Sequence, residues 1–200
     1  RAGQVMYFAM LAIIVFQFFN AQKIKSLLLI SVLIPGIFFT AYTTSDLFQQ
    51  RVDAAVKNTI SYSDNKSTSV GQRITFALNS WEVIKENPII GIGTGDFPIE
   101  YKKINQINTP EIPNTTNPHN MYTLIAMELG VIGLISMLSI FYYQIKLSFN
   151  SSNRFIRDVG ITLPLLFLVI MWSDSYLLGH YTTLMFVFFS SFLYKDFEKS

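Results

Sequence analysis

The amino-acid sequence predicts an all-α, multi-pass helical membrane protein, and three observations support that class. Half of the 200 residues are hydrophobic and only 14% are charged, a balance that excludes an ordinary soluble domain. Five apolar runs approach or reach the length that a helix needs to cross a bilayer. Lysines and arginines gather in the short polar stretches between those runs, as they do on the cytoplasmic side of membrane proteins.

The expected spans follow one another through short turns, except where one long polar segment intervenes. In chain order we predict spans at residues 4–19, 26–42, 121–145, 159–178 and 181–194, and an external loop at 43–120. Pro35 should kink the second span, and the fifth is short for a span. We expect residues 1–200 to form one membrane domain. Because the chain opens on Arg1 rather than methionine, we expect it to be the later part of a longer protein.

The orientation of the spans follows from the basic residues. Lysines or arginines occupy the short loop at 23–25, the loop at 146–157 and the tail at 195–199. With five spans these three stretches fall on one side, which should be the cytoplasmic side, whereas four spans would place the tail outside. The 43–120 loop carries 7 basic and 8 acidic residues and therefore shows no cytoplasmic bias.

The external loop should contain its own ordered elements. We predict a helix at Asp46–Lys57, a mobile loop at Ser61–Val70, a helix at Arg73–Glu86, a glycine turn at Gly91–Gly95 and an extended stretch at Thr109–Pro118. Asn87-Pro88 should end the second of these helices. The apolar face of that helix should lie along the membrane surface, with Trp81 in the interface.

The loop ends at Asn117-Pro118-His119-Asn120, where the third apolar run begins. Asn117 is a good N-cap and Pro118 suits the first helical position, which would place His119 and Asn120 in the first turn. Helix N-termini attract anions such as phosphate, and an imidazole there can accept a proton. Gly130 and Gly133 follow on nearby faces, where small residues allow another helix to pack closely.

Other candidate groups are weaker. Gly91–Gly95 lacks the G-x-G-x-x-G spacing of a nucleotide site and is better interpreted as a turn packed against the membrane helices. Glu128 and Asp174 are ionisable residues in apolar spans, which usually face a partner or a polar cavity. For Glu128 a structural pairing and a function stay equally open, whereas a structural role is favoured for Asp174. His180 is interpreted as an interfacial histidine.

The composition excludes several classes of site. The chain has no cysteine and no H-E-x-x-H pattern, so we predict no metal site and no cofactor. A net charge of +2 is too small to indicate a nucleic-acid partner. Arg1 and Arg73 would each commonly anchor a lipid headgroup. Together with His119 they would form a cationic, proton-accepting site suited to a lipid diphosphate, because an arginine fork binds diphosphate oxygens.

Two stretches carry a family resemblance. One is His119-Asn120, followed after nine residues by Gly130-Val131-Ile132-Gly133. The other runs from Arg73 through Trp81 and Asn87-Pro88 to Gly91-Ile92-Gly93-Thr94-Gly95-Asp96-Phe97. The sequence thus resembles the bacterial O-antigen ligase family, with its sister O-antigen polymerases and protein O-oligosaccharyltransferases. Arg1-Ala2-Gly3 is a weaker match to the end of the family's Ser-Arg segment.

The resemblance implies a fold similar to part of the C-type glycosyltransferases and a reaction at the periplasmic face of the bacterial inner membrane. The donor would be a glycan on undecaprenyl diphosphate, and the acceptor a sugar hydroxyl of lipid A–core, with no metal or nucleotide. His119 would be the catalytic base or would orient the donor phosphate. Arg73, Arg1 and Asn120 would bind the diphosphate, and Arg73 and Arg1 would also stabilise its leaving charge. Structural roles near the site fall to Gly91, Gly93, Gly95, Gly130 and Gly133.

Rival functions remain open. A polymerase or a protein transferase would use the same donor with a different acceptor. A lipid or glycan transporter component would line its path with Glu128 and Asp174, although transporters usually concentrate polar residues near the midplane of the membrane rather than in a long external segment. A non-catalytic scaffold is a third possibility, which the His119–Gly133 match disfavours.

Overall fold

The computed structural model describes residues 2–19 and 22–195, and within these residues the fold is all-α. The helices are α1 (Ala2–Phe18), α2 (Lys23–Thr44), α3 (Asp46–Ile60), α4 (Ser69–Glu86), α5 (Phe97–Asn108), α6 (Met121–Phe149), α7 (Arg154–Ile170) and α8 (His180–Leu193), with a 3₁₀ turn at Tyr176–Leu178. The all-α class is confirmed. Each of the five predicted apolar runs forms a helix, namely α1, α2, α6, α7 and α8.

Length and composition single out two helices of the described residues as candidate membrane spans. These are α2 and α6, while α1 and α8 are apolar but shorter. The five-span arrangement therefore stays a prediction. The described chain also divides into two compact units, residues 3–75 and the residues from Phe76 onward.

In the first unit, α2 packs on α3 through an aromatic and polar contact. The Tyr42 hydroxyl donates to Asp53 Oδ1 at 2.7 Å, and the rings of Phe38 and Phe48 meet edge to face at 5.3 Å. Ser45 caps α3 by accepting from the Phe48 N–H. The helix predicted at Asp46–Lys57 is confirmed: α3 begins at Asp46 and continues past the predicted end to Ile60.

Helix α4 begins earlier than predicted and ends where predicted. It starts at Ser69 rather than Arg73 and ends at Glu86, directly before Asn87-Pro88. The side chains of this helix that pack inside the second unit are Phe76, Asn79, Ser80 and Val83. Two apolar side chains of this helix, Leu78 and Trp81, are more than half exposed within the described residues.

Helix α5 has no counterpart among the predicted elements. Its buried residues, Phe97, Tyr101 and Asn105, follow the four-residue spacing of a helix, but two of the three carry polar groups. An apolar pattern was therefore too sparse to indicate a helix from sequence. The tertiary contacts of these side chains, described below, stabilise it.

In the second unit α6 packs against α7, and α7 against α8. The buried core draws on α4 to α7 and the loops between them, and its members are Phe76, Val83, Phe97, Tyr101, Ile112, Met121, Leu124, Met127, Met137, Phe141, Phe167 and Met171. Helix α7 ends at Ile170, so the span predicted to reach residue 178 is too long as a helix. The chain turns there because Met171 O accepts the Met121 N–H at 2.9 Å and the polar residues Ser173–Ser175 fold back towards the loop before α6.

Helix α6 is interrupted at Gly130, whose φ of 62° and ψ of −159° are not helical. The segment 88–93 fills the break. The N–H groups of Ile92 and Gly93 donate to Met127 O and Glu128 O, and those of Val131 and Ile132 donate to Pro88 O and Ile89 O, all at 2.9–3.2 Å. A Cβ on Gly91 would overlap the Glu128 backbone, and one on Gly130 would overlap the Ile89 backbone.

This backbone interlock, Gly91 against Gly130, explains one glycine of each motif. Gly91, Gly93, Gly95 and Gly130 all have positive φ, which only glycine adopts without cost. The prediction that Gly91–Gly95 is a tight turn packed against the apolar helices is confirmed. The neighbour of Gly130, however, is this turn rather than another helix, while a Cβ on Gly133 would overlap the Leu129 side chain of its own helix.

Candidate functional site

The loop that follows α5 holds His119 in a constrained position. The Asn117 side chain accepts the His119 N–H at 2.9 Å and the Ser175 hydroxyl at 2.7 Å. His119 has a φ of 53°, the one positive φ outside glycine among the described residues. Such a conformation costs energy for a residue with a Cβ and persists where neighbouring contacts impose it.

The N-cap of α6 is Asn120, not Asn117. Asn120 Oδ1 accepts the Thr123 N–H at 3.0 Å, and its amide nitrogen donates to Trp172 O at 3.1 Å. The helix therefore begins at Met121, and His119 lies just before the cap rather than in the first turn. The predicted capping was wrong because the Asn117 side chain is engaged with Ser175 and with the His119 backbone.

A carboxylate partner faces the imidazole of His119. Nδ1 of His119 lies 3.1 Å from Oδ1 of Asp174, and the same oxygen accepts the Ser175 N–H at 2.8 Å. The two side chains are 39% and 36% exposed, so solvent and a substrate can reach both. A carboxylate at Nδ1 favours the tautomer with its proton on Nδ1, which leaves Nε2 with a lone pair for accepting a proton.

A second contact orients the imidazole ring. The ring of Phe76 stacks on His119, with centroids 6.1 Å apart and planes at 25°. Phe76 in turn meets Tyr101 edge to face at 5.8 Å. The imidazole therefore has an aromatic face on one side and a carboxylate at Nδ1, an arrangement that limits its rotation.

A buried polar network supports this aromatic stack. Asn79 Nδ2 lies 2.8 Å from Thr109 Oγ1 and 3.2 Å from Asn105 Oδ1, and Asn105 Nδ2 donates to Ile112 O at 2.8 Å. Tyr101 joins the network through Asn105 Oδ1 at 3.3 Å. Because buried polar groups are costly unless paired, this network joins α4, α5 and the start of the 109–120 loop into one unit.

An open cavity of about 390 Å³ lies beside Asp174. Its lining residues are Asn117, Asp174, Ser175, Tyr176, Leu178, Gly179, His180, Tyr181 and Thr182. His180, which the sequence indicated as an interfacial histidine, thus lies at the same cavity as the carboxylate partner of His119. The described residues contain no group of three or more histidine or acidic residues placed to hold a metal ion.

The other predicted site residues are placed as follows. Arg73 is exposed on α4 and belongs to the first unit, whereas His119 belongs to the second. Arg1 lies outside the described residues. The joint binding of a diphosphate by Arg73, Arg1 and His119 stays a prediction, as does donor binding by Asn120.

Sequence reasoning missed the pairing of His119 with Asp174. The two residues are 55 positions apart and share no local motif. The available signal was an acidic residue near the outer end of an apolar run, and it suggested a structural role. What the sequence could not supply is the turn after α7 that returns this carboxylate to the start of α6.

The fold and this site define a class: an all-helical protein with apolar helices and an exposed imidazole–carboxylate pair at the entry to one of them. The chain belongs to the O-antigen ligase family, whose model matches residues 1–138. That match includes Arg73, the Gly91–Gly95 turn, His119 and Gly130, and it ends before Asp174. Family membership and the two candidate spans agree with a membrane protein.

A relative gives a second comparison. An uncharacterized protein of Haemophilus influenzae is 30% identical over 141 residues, which cover 64% of this chain and 35% of the relative. The chain thus spans about a third of the length of that relative.

Proposed function

We propose that the protein transfers a glycan from undecaprenyl diphosphate to an acceptor hydroxyl at the periplasmic face of the bacterial inner membrane. The acceptor we favour is a sugar of lipid A–core, as in an O-antigen ligase. Membership of the O-antigen ligase family supports the general class of reaction. The observation that carries the proposal is the contact of His119 Nδ1 with Asp174 Oδ1 at 3.1 Å.

The proposed chemistry is a single displacement. Nε2 of His119 takes the proton of the acceptor hydroxyl as its oxygen attacks the anomeric carbon of the donor glycan. The bond from that carbon to the phosphate oxygen breaks, and undecaprenyl diphosphate leaves with the bonding electrons. Asp174 stabilises the imidazolium that forms, and Arg73, with Arg1, stabilises the leaving charge. This chemistry needs no metal and no nucleotide.

The chemistry of its side chain supports the role of Arg73 that the family resemblance implies. Arginine presents a planar, permanently charged fork that binds phosphate oxygens in pairs. A lysine at this position would supply the charge without that geometry.

The carboxylate partner favours one of the two roles considered for His119. A histidine that only orients a phosphate benefits from a fixed positive charge, whereas a base benefits from a partner that holds its tautomer and stabilises the protonated form. The exposed position of the pair fits an acceptor that arrives from outside. A polymerase or a protein transferase would use the same residues with a different acceptor.

The reaction requires His119 outside the membrane. We propose the five-span arrangement with the 43–120 loop in the periplasm, supported by the basic residues of the loops at 23–25 and 146–157. The exposed Leu78 and Trp81 of α4 suit a helix that rests on the bilayer surface.

The test uses the whole protein in lipid nanodiscs with a synthetic undecaprenyl-diphosphate glycan and no added metal or nucleotide. Lipid A–core, a second donor molecule and a serine-containing protein are offered as acceptors in parallel. We expect transfer to lipid A–core, and a loss of at least about a hundredfold in His119→Ala and Arg73→Ala. Lys85→Ala, which removes an exposed cation from the same helix, is the matched control. Wild-type rates in both variants would refute the site assignment.

A further inference from the structure

The cavity beside Asp174 has no part in the displacement described above. We propose that it binds a neutral sugar ring of the acceptor glycan and so selects which acceptor hydroxyl reaches His119. This inference rests on the proposed glycan transfer and adds the class of group recognised and the residues that recognise it. Charge, size and the chemistry of the lining each support it.

Charge favours the acceptor over the diphosphate of the donor. The described lining contains no lysine or arginine, and it contains the carboxylate of Asp174. A diphosphate beside that carboxylate would be repelled, because like charges at short range destabilise each other. An uncharged, hydroxyl-bearing group meets no such penalty, and its hydroxyls can donate to the carboxylate.

The volume of the cavity suits one small part of a larger ligand. Sites for small molecules usually measure roughly 300–1,000 Å³, and this cavity of about 390 Å³ falls at the lower end of that range. The cavity is open rather than enclosed, so the remainder of a branched or lipid-linked glycan can continue outward. This shape fits one sugar ring inside the cavity, with the rest of the glycan outside it.

The lining has the mixed chemistry that a pyranose ring requires. Tyr181 is 90% exposed, and the aromatic ring of a tyrosine can stack on the C–H face of a sugar. Asn117, Ser175 and Thr182 add polar groups around the rim. The hydroxyl of Thr182 is fixed by bonds to Tyr176 O and Gly179 O, so this rim is held in place before a ligand arrives.

The cavity and the catalytic pair share one wall. Asp174 contacts His119 and also lines the cavity, whereas His119 is not part of the lining. A sugar in the cavity would therefore lie next to the base rather than on it. Tyr181 would act on binding of the acceptor and not on the chemical step.

The experiment measures transfer by the whole protein in nanodiscs, with the oligosaccharide released from lipid A–core as the acceptor probe. Tyr181→Ala should raise the acceptor KM roughly three- to tenfold, while kcat and the donor KM stay within about twofold of wild type. Tyr181→Phe keeps the ring and should restore the wild-type KM, whereas Tyr181→Leu should not. Tyr143→Ala removes a tyrosine that is 57% exposed on α6 and serves as the control.

Each outcome separates the inference from the proposed function. An unchanged acceptor KM in Tyr181→Ala, with normal transfer, overturns the cavity assignment and leaves the transferase intact. A raised donor KM would show that the Tyr181 ring contacts the donor glycan, which also overturns the assignment of the cavity to the acceptor. Loss of membrane insertion or of thermal stability without a change in KM makes Tyr181 an interfacial anchor only, which overturns it too. No transfer by folded wild-type protein overturns the proposed function itself.

Discussion

Replacing Asp174 by asparagine isolates the charge that faces His119. The side chains are similar in shape, and the asparagine Oδ1 can still accept from Nδ1 of His119 and from the Ser175 N–H. In the proposed mechanism, what is lost is the negative charge that stabilises the imidazolium formed when His119 takes a proton. A hydrogen bond to a charged group contributes about 1.5–3 kcal/mol.

The lower end of that range applies here. Both side chains are more than a third exposed, so water screens the pair at its separation of 3.1 Å. A loss of about 1.5 kcal/mol in the transition state corresponds to roughly a tenfold fall in kcat. We therefore expect Asp174→Asn to reduce kcat about tenfold, with the donor KM little changed.

The assay is steady-state transfer from a fluorescent lipid-diphosphate glycan to lipid A–core in nanodiscs. The control is Asp158→Asn, which removes a carboxylate that is 29% exposed and lies 3.5 Å from Arg154 near the start of α7. It resembles Asp174 in exposure and in having a basic partner. If Asp174→Asn retains wild-type kcat while His119→Ala is inactive, Asp174 does not support the base. An equal loss in Asp158→Asn would show that the effect is not specific to the pair.

Two further predictions concern stability and are checked by thermal unfolding in nanodiscs. Gly130→Ala should lower the free energy of unfolding by at least about 3 kcal/mol, because its φ and ψ fall in a region open essentially to glycine and its Cβ would overlap the Ile89 backbone. The control is Gly36→Ala, whose Cβ would meet no heavy atom within 4 Å, and it should leave the free energy of unfolding unchanged. Asn79→Ala should lower the free energy of unfolding by about 2–3 kcal/mol, because the buried Asn105 and Thr109 would each lose a hydrogen-bond partner. Asn108→Ala, at the exposed end of α5, should be nearly neutral, and equal losses in the two asparagine variants would contradict the role of the network.

The sequence predicted best what depends on local pattern. Five apolar runs gave five helices, and the Asn87-Pro88 stop and the Gly91–Gly95 turn lie where expected, because chain stiffness and hydrophobicity act over a few residues. His119 was singled out from its position between a polar loop and an apolar helix. These features depend on residues that are close in sequence, and the tertiary contacts of the folded chain do not change them.

What the sequence could not predict depends on distant partners. From sequence, Asn117 was predicted to cap α6. In the structure its side chain instead accepts a hydrogen bond from Ser175, 58 positions away. Helix α5 forms around Asn105, whose burial is tolerable only with Asn79 and Thr109 beside it. The break in α6 at Gly130 needs the 88–93 segment to receive its exposed hydrogen-bonding groups. A single sequence does not indicate which distant residues supply such contacts.

The interlock of Gly91 with Gly130 has a consequence for variation in this protein. Its four bonds join main-chain atoms only, and the two glycines exclude side chains from the crossing. The side chains of Ile90 and Val131 take no part in the joint and can therefore change, except that Val131 must keep a donating N–H, whereas neither glycine can change alone. A chimera that exchanges the 88–93 turn needs to keep its backbone path, its two donating N–H groups and an apolar side chain at Ile92, which packs against the core.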